Sequence, residues 1–240
     1  MSTTLPNPNM AMRSRRPTMN FTKWSPRTAS LVSGVALAAM AVLAAFGNFG
    51  AIKPLVTLGN ATRTAEAIRS SETLFLSGIV CLIIVAVLDM LVAGAWYALF
   101  KPVNRVISAT AAWARAVFAV GFMVAISQLL VAVGLLHRPD EALRAIELFT
   151  TIWVISLGVF GIHLLLIAYL AYRSGFIARI FGILLAVAGL GYLADAIGTI
   201  AVEGFTAVFG GILFVGEVAM IFWLLIRGRR LSDRTPTGGP

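Results

Sequence analysis

Thiols, imidazoles and carboxylates are all scarce in this chain. Of its 240 residues only Cys81 is a cysteine, which excludes an intrachain disulfide and any metal site built on several thiolates. Placed inside an apolar run, Cys81 reads as a small core residue. Histidine occurs twice, at His137 and His163. Zinc sites favour two or more His or Cys ligands, and His137 falls in a polar loop where it cannot easily join His163 on a haem. No metal and no cofactor is therefore expected. The His-Glu-x-x-His pattern of zinc proteases and a serine in a nucleophile-elbow setting are missing as well. Charged residues make up 12% of the chain and apolar residues 59%, against about 25% charged in a soluble domain. Lipid is thus the expected solvent and the bilayer the expected partner. The formal charge is +9, but the basic residues lie at the chain ends and in short turns rather than in one patch. That distribution excludes nucleic acid as a partner and matches the bias of membrane proteins.

What the chain does have is a succession of long apolar runs. The stretch from Gly158 to Gly198 holds two of them around the short basic turn Arg173-Ser174-Gly175. A span needs roughly 20 apolar residues, so this stretch predicts a transmembrane helical hairpin. Residues 1–28 carry Pro6, Pro8, Pro17, Pro26 and several arginines, too little apolar surface for a core, and read as a disordered basic tail. The first span is expected over Ala29–Phe49, too long for a signal-peptide core. Gly50–Ser71 forms the longest loop, in which Asn60–Arg69 has the pattern of a short helix on the membrane surface. Further spans are expected over Glu72–Phe100, Val106–Leu136, Glu147–Tyr172, Phe176–Ile200 and Thr206–Ile226, with Trp96 and Tyr97 as an interface pair. A second basic tail follows over residues 227–240. The fold class expected is all-α, a polytopic bundle of six spans filling residues 29–226.

Six spans put both termini on one side. Lys and Arg at 13–27, 101, 105, 173, 179 and 227–234 then fall on that side, whereas the opposite loops have few and carry Glu66, Glu72, Asp140, Glu141, Glu147 and Glu203. The positive-inside bias places both termini in the cytoplasm.

Five ionisable residues fall within the spans: Asp89, Arg115, His163, Asp195 and Glu217. Such groups face a partner or a wet cavity, because stranding them in hydrocarbon costs about 3 kcal/mol or more. Asp89 lies twelve residues from Lys101, while Arg115, His163 and Glu217 each lie ten from a cytoplasmic-end arginine. At the helical rise, four helices bring a polar group to a common depth of about 15–18 Å. Asp195 sits nearer the opposite face. Arg115 has two readings, snorkelling to the headgroups beside Trp113 or pairing with Asp89. Ser156, seven residues before His163, extends the same face.

Several segments together carry a resemblance. These are Ser77-Gly78-Ile79-Val80, Asp89, Trp96-Tyr97 and Lys101-Pro102-Val103-Asn104-Arg105; then Arg115; then Gly161-Ile162-His163 with Tyr172-Arg173-Ser174-Gly175-Phe176; then Gly189-Leu190-Gly191-Tyr192-Leu193-Ala194-Asp195; and finally Gly216-Glu217 with Trp223 and Arg227. Over about residues 25–230 the chain resembles the bacterial membrane-protein family called domain of unknown function 4386. The resemblance implies a bacterial inner-membrane protein of about six spans, and implies no activity. It also implies an arginine after Phe75 and a proline before Arg179, where this chain has Leu76 and Ala178.

Three functional readings stay open on the residues. The leading one is a non-enzymatic bundle binding or passing a small solute, ion or proton at Asp89, Arg115, His163, Glu217 and Asp195. The second is an accessory subunit or scaffold, in which those groups fix helix pairing and a membrane partner or second copy meets the small-residue faces. The third is an intramembrane lipid-modifying enzyme with His163 and Glu217 as acid and base.

Overall fold

The computed structural model describes residues 24–209 and 215–228. Helix α1 (Pro26–Ala44) is started by Ser25, whose hydroxyl accepts the Thr28 N–H, with Pro26 at the first helical position. It runs on without a break into a π-helical stretch (Ala45–Ile52) and a 3₁₀ turn (Lys53–Leu55). Helix α2 (Ala61–Ser70) is capped by Asn60, and α3 covers Glu72–Phe100. Helix α4 (Arg105–Gly134) is capped by Asn104, which accepts the Ile107 N–H at 3.0 Å. Helix α5 (Pro139–Arg173) starts with a proline and two carboxylates, Asp140 and Glu141, which suit the positive end of the helix dipole. Helices α6 (Arg179–Ala201) and α7 (Val215–Ile226) complete the set.

Five of these helices, α1 with its extension and α3 to α6, are long and apolar enough to cross a membrane; α7 is a shorter apolar helix. The molecule is a helical membrane bundle. Large apolar side chains stay exposed on its outside, among them Val87, Val117, Val120, Ile183 and Leu190. In water such a surface would drive aggregation; in lipid it costs nothing.

The long helices pack in chain order, α1 on α3, α3 on α4, α4 on α5 and α5 on α6. Helix α7 then packs on both α6 and α1. The result is a closed ring. Glycines set the tight crossings. A Cβ added to Gly161 would stand 2.6 Å from the Gly189 carbonyl oxygen, and one added to Gly189 would stand 2.8 Å from that of Gly161, so α5 and α6 touch backbone to backbone. The reversal between them uses Gly175 at φ 71°, in the left-handed region. The α1–α3 crossing repeats the device with Gly47 and Gly78, and falls within the π-helical stretch. Helix α2 lies against α5 and touches α3. It buries Thr64, Ala65 and Ile68, and the Arg69 guanidinium donates to the Leu136 carbonyl at the α4–α5 turn.

The sequence reading holds for the helical bundle and for a short helix after Asn60. Several boundaries move. The first helix begins at Pro26, so the end of the expected tail is helical, and it extends to Leu55 rather than Phe49. Helix α5 starts at Pro139, eight residues before the expected Glu147, because proline and the acidic pair initiate it. The expected span Thr206–Ile226 is helical over Val215–Ile226, and residues 210–214 lie outside the described residues, as do the tails 1–23 and 229–240.

Candidate functional site

The inside of the ring is polar at one level. Asp89 on α3 and Arg115 on α4 form an ion pair, Oδ1 to Nη2 at 2.6 Å, with both side chains 2% exposed. The snorkelling alternative for Arg115 is therefore overturned: the guanidinium turns inward, and Trp113 alone of that turn points outward, 74% exposed. Arg115 Nη1 lies 3.3 Å from His163 Nε2 on α5, and His163 Nδ1 lies 2.8 Å from the Ala111 carbonyl oxygen. A guanidinium only donates and a carbonyl only accepts. The imidazole is thereby held neutral, with its proton on Nδ1 and its Nε2 lone pair turned to Arg115. One cation is shared between a carboxylate and an imidazole.

Aromatic rings enclose this trio. His163 stacks on Trp96 and on Phe160, each at 5.5 Å between centroids. The Arg115 guanidinium stands 5.5 Å from the Trp96 ring and 5.2 Å from the Phe160 ring. The negative faces of such rings attract a cation that is removed from solvent. Trp96 is thus a buried wall of the site, 4% exposed, and not the membrane-interface residue expected from its place near the helix end. The indole Nε1 and Arg115 Nε have no hydrogen-bond partner among the described residues.

Glu217 on α7 does not join the trio. It accepts a hydrogen bond from the Tyr192 hydroxyl of α6 at 2.8 Å, and no cation lies within salt-bridge reach of it among the described residues. The two groups connect through a ring: Phe160 meets Tyr192 edge-on at 5.6 Å on one side and His163 on the other. Asp195, one turn along α6 from Tyr192, has a different task. Its Oδ1 accepts the backbone N–H groups of Val208 at 2.9 Å and Phe209 at 3.1 Å, tying the segment after α6 back onto that helix. Ser156 does not extend the polar face. Its hydroxyl donates to the Ile152 carbonyl of its own helix and sits where a side chain on Gly121 would be.

Above this belt, toward the α2 end, the ring is hollow. A cavity of about 780 Å³ is lined by the π-helical stretch of α1 (Asn48, Phe49, Ile52), by Lys53, by one face of α5 (Phe149, Thr150, Trp153, Leu157), by α6 (Tyr192, Asp195, Thr199) and by Phe205. Among the described residues this space, termed the lumen below, lies between the end of α1 and the α5–α6 pair, with no lining from α3, α4 or α7. Tyr192 belongs both to its wall and to the Glu217 pair beneath. Tyr192 and Phe160 were not singled out as site residues by the sequence, and Trp96 was read only as an interface residue. The signal available was spacing: Tyr192, Asp195 and Thr199 recur on one helical face, as do Phe149, Trp153 and Leu157. Among the described residues no cluster of three or more His, Cys, Asp or Glu side chains is placed to hold a metal.

An uncharacterized protein of Archaeoglobus fulgidus is 32% identical over 159 residues, covering 66% of this chain and 88% of that protein. No solved structure matches the chain. The sequence profile described as Domain of unknown function (DUF4386) matches residues 32–228. With nearly the whole bundle inside that match, the chain belongs to the DUF4386 family.

Proposed function

We propose that this protein binds a small amphipathic solute in the lumen of its helix ring. The observation that carries the reading is the cavity between the end of α1 and the α5–α6 pair, walled mainly by apolar and aromatic side chains with a few hydroxyls and carboxylates. Ligand sites in helical bundles have this composition and place. Tyr192 lines the cavity, and its hydroxyl is held by Glu217 behind it. Asp89, Arg115 and His163 tie α3, α4 and α5 together on the inner side of the ring. Opposed charges in direct contact suit a fixed plug better than a moving carrier. The unequal distribution of Lys and Arg supports a setting with both chain ends in the cytoplasm of a bacterial cell and the lumen open to the outside.

Thiol accessibility tests this reading. In a Cys81→Ser background, Thr199→Cys places a thiol on the lumen wall and Leu190→Cys places one on the lipid-facing surface of the same helix. A water-soluble, membrane-impermeant maleimide added to intact cells should label Thr199→Cys and leave Leu190→Cys untouched. Equal inertness of both sites in a folded protein refutes an externally open lumen.

A further inference from the structure

The lumen's charge and its rings select among amphipathic ligands. Among the described residues two carboxylates line it, the exposed Glu147 and the buried Asp195, against one cation, Lys53. Lys53 is exposed at the rim, and its ammonium already stands over the Phe49 ring at 4.6 Å. Aromatic faces recur around the wall, at Phe149, Trp153, Tyr192 and Phe205 in addition to Phe49. The negative faces of such rings attract cations and repel anions. A carboxylate set among aromatic rings is a recognised arrangement for holding an organic ammonium, whose charge is diffuse enough to leave water cheaply. We infer that the ligand class is a hydrophobic organic cation, a protonated amine or quaternary ammonium carrying an apolar body. This rests on the lumen-binding reading above and adds the sign of the charge. An anionic amphiphile would meet one rim ammonium and then two carboxylates, the buried one a turn along α6 from Tyr192.

The test uses two ions of the same size and shape and opposite charge, tetraphenylphosphonium and tetraphenylborate, with the purified full-length protein in a mild detergent. Saturable binding of the radiolabelled phosphonium is expected, with the borate weaker by about tenfold or more, equivalent to about 1.4 kcal/mol. Asp195→Asn keeps an oxygen to receive the Val208 and Phe209 amides while removing the charge, and Glu147→Gln removes the other charge. Together they should weaken phosphonium binding by about tenfold, and Lys53→Gln should not weaken it. Borate binding as tight as phosphonium, or an unchanged phosphonium affinity in the doubly neutral variant, overturns the inferred sign and leaves the lumen site standing, provided that Thr199→Trp blocks whichever ion binds. Saturable binding of neither ion, or binding indifferent to Thr199→Trp, overturns both readings. The comparison of the two ions on the unaltered protein stands even where a variant does not fold.

Discussion

Arg115 meets four buried side chains at once. It pairs with Asp89, donates to His163 and lies between the Trp96 and Phe160 rings. Burying two charges is costly, and removing one of them leaves the other stranded. Arg115→Met alone, or Asp89→Leu alone, should lower stability by about 3–5 kcal/mol, whereas the double variant should lose markedly less than the sum. Unfolding in mixed detergent–SDS micelles measures this, and strict additivity would show that the pair is not coupled. The sequence made Asp89, Arg115 and His163 conspicuous because ionisable groups in apolar runs are rare. It did not show that Glu217 bonds Tyr192 and none of the three. Depth can be counted along a helix, but the direction a side chain faces depends on where the neighbouring helices lie. Trp96 was misplaced for a related reason: nearness to a helix end suggested the membrane interface, while the rotation of α3 turned the indole onto His163.

Among the elements, the α5–α6 hairpin has the closest packing. Its crossing at Gly161 and Gly189 leaves no room for even one carbon, since the opposing atoms are backbone carbonyls that cannot move aside. Gly161→Val should part the two helices and shift Phe160 and His163 away from Tyr192 and Arg115. The expected outcome is a loss of about 2 kcal/mol or more by the same micellar unfolding. Gly94→Ala, at a position open on all sides, should be close to silent. The hairpin was readable in the sequence because its two runs and the turn between them are short-range features. The π-helical stretch Ala45–Ile52 was not, since nothing in Ala-Phe-Gly-Asn-Phe-Gly-Ala-Ile sets it apart from an ordinary helix end. That stretch coincides with the close approach of Gly47 to Gly78, a contact between two helices that local sequence does not show. Because it turns Asn48 and Phe49 toward the lumen, the least legible element contributes directly to the candidate site.

For the molecule as a whole, apolar runs and turns were enough to anticipate a bundle, but not the closed ring or its hollow half. Those arise from the last helix returning to the first. Ser30 of α1 donates to the Leu224 carbonyl of α7 at 3.2 Å, and Gly34 lies where any added carbon would meet Leu224 and Leu225. This joint is made by the two ends of the bundle's own sequence, which leave the ribosome at opposite times. During synthesis the protein is an open arc, and it becomes a ring only when residues near Val215–Ile226 arrive. The ion pair of α3 and α4 can form early, but the Tyr192 hydroxyl waits for Glu217. A chain stopped after Ala201 should insert in the membrane and then disappear rapidly in a pulse–chase experiment, while the complete chain persists; equal half-lives would show that closure is dispensable. Until the dozen residues Val215–Ile226 emerge, the nascent protein has walls but no inside.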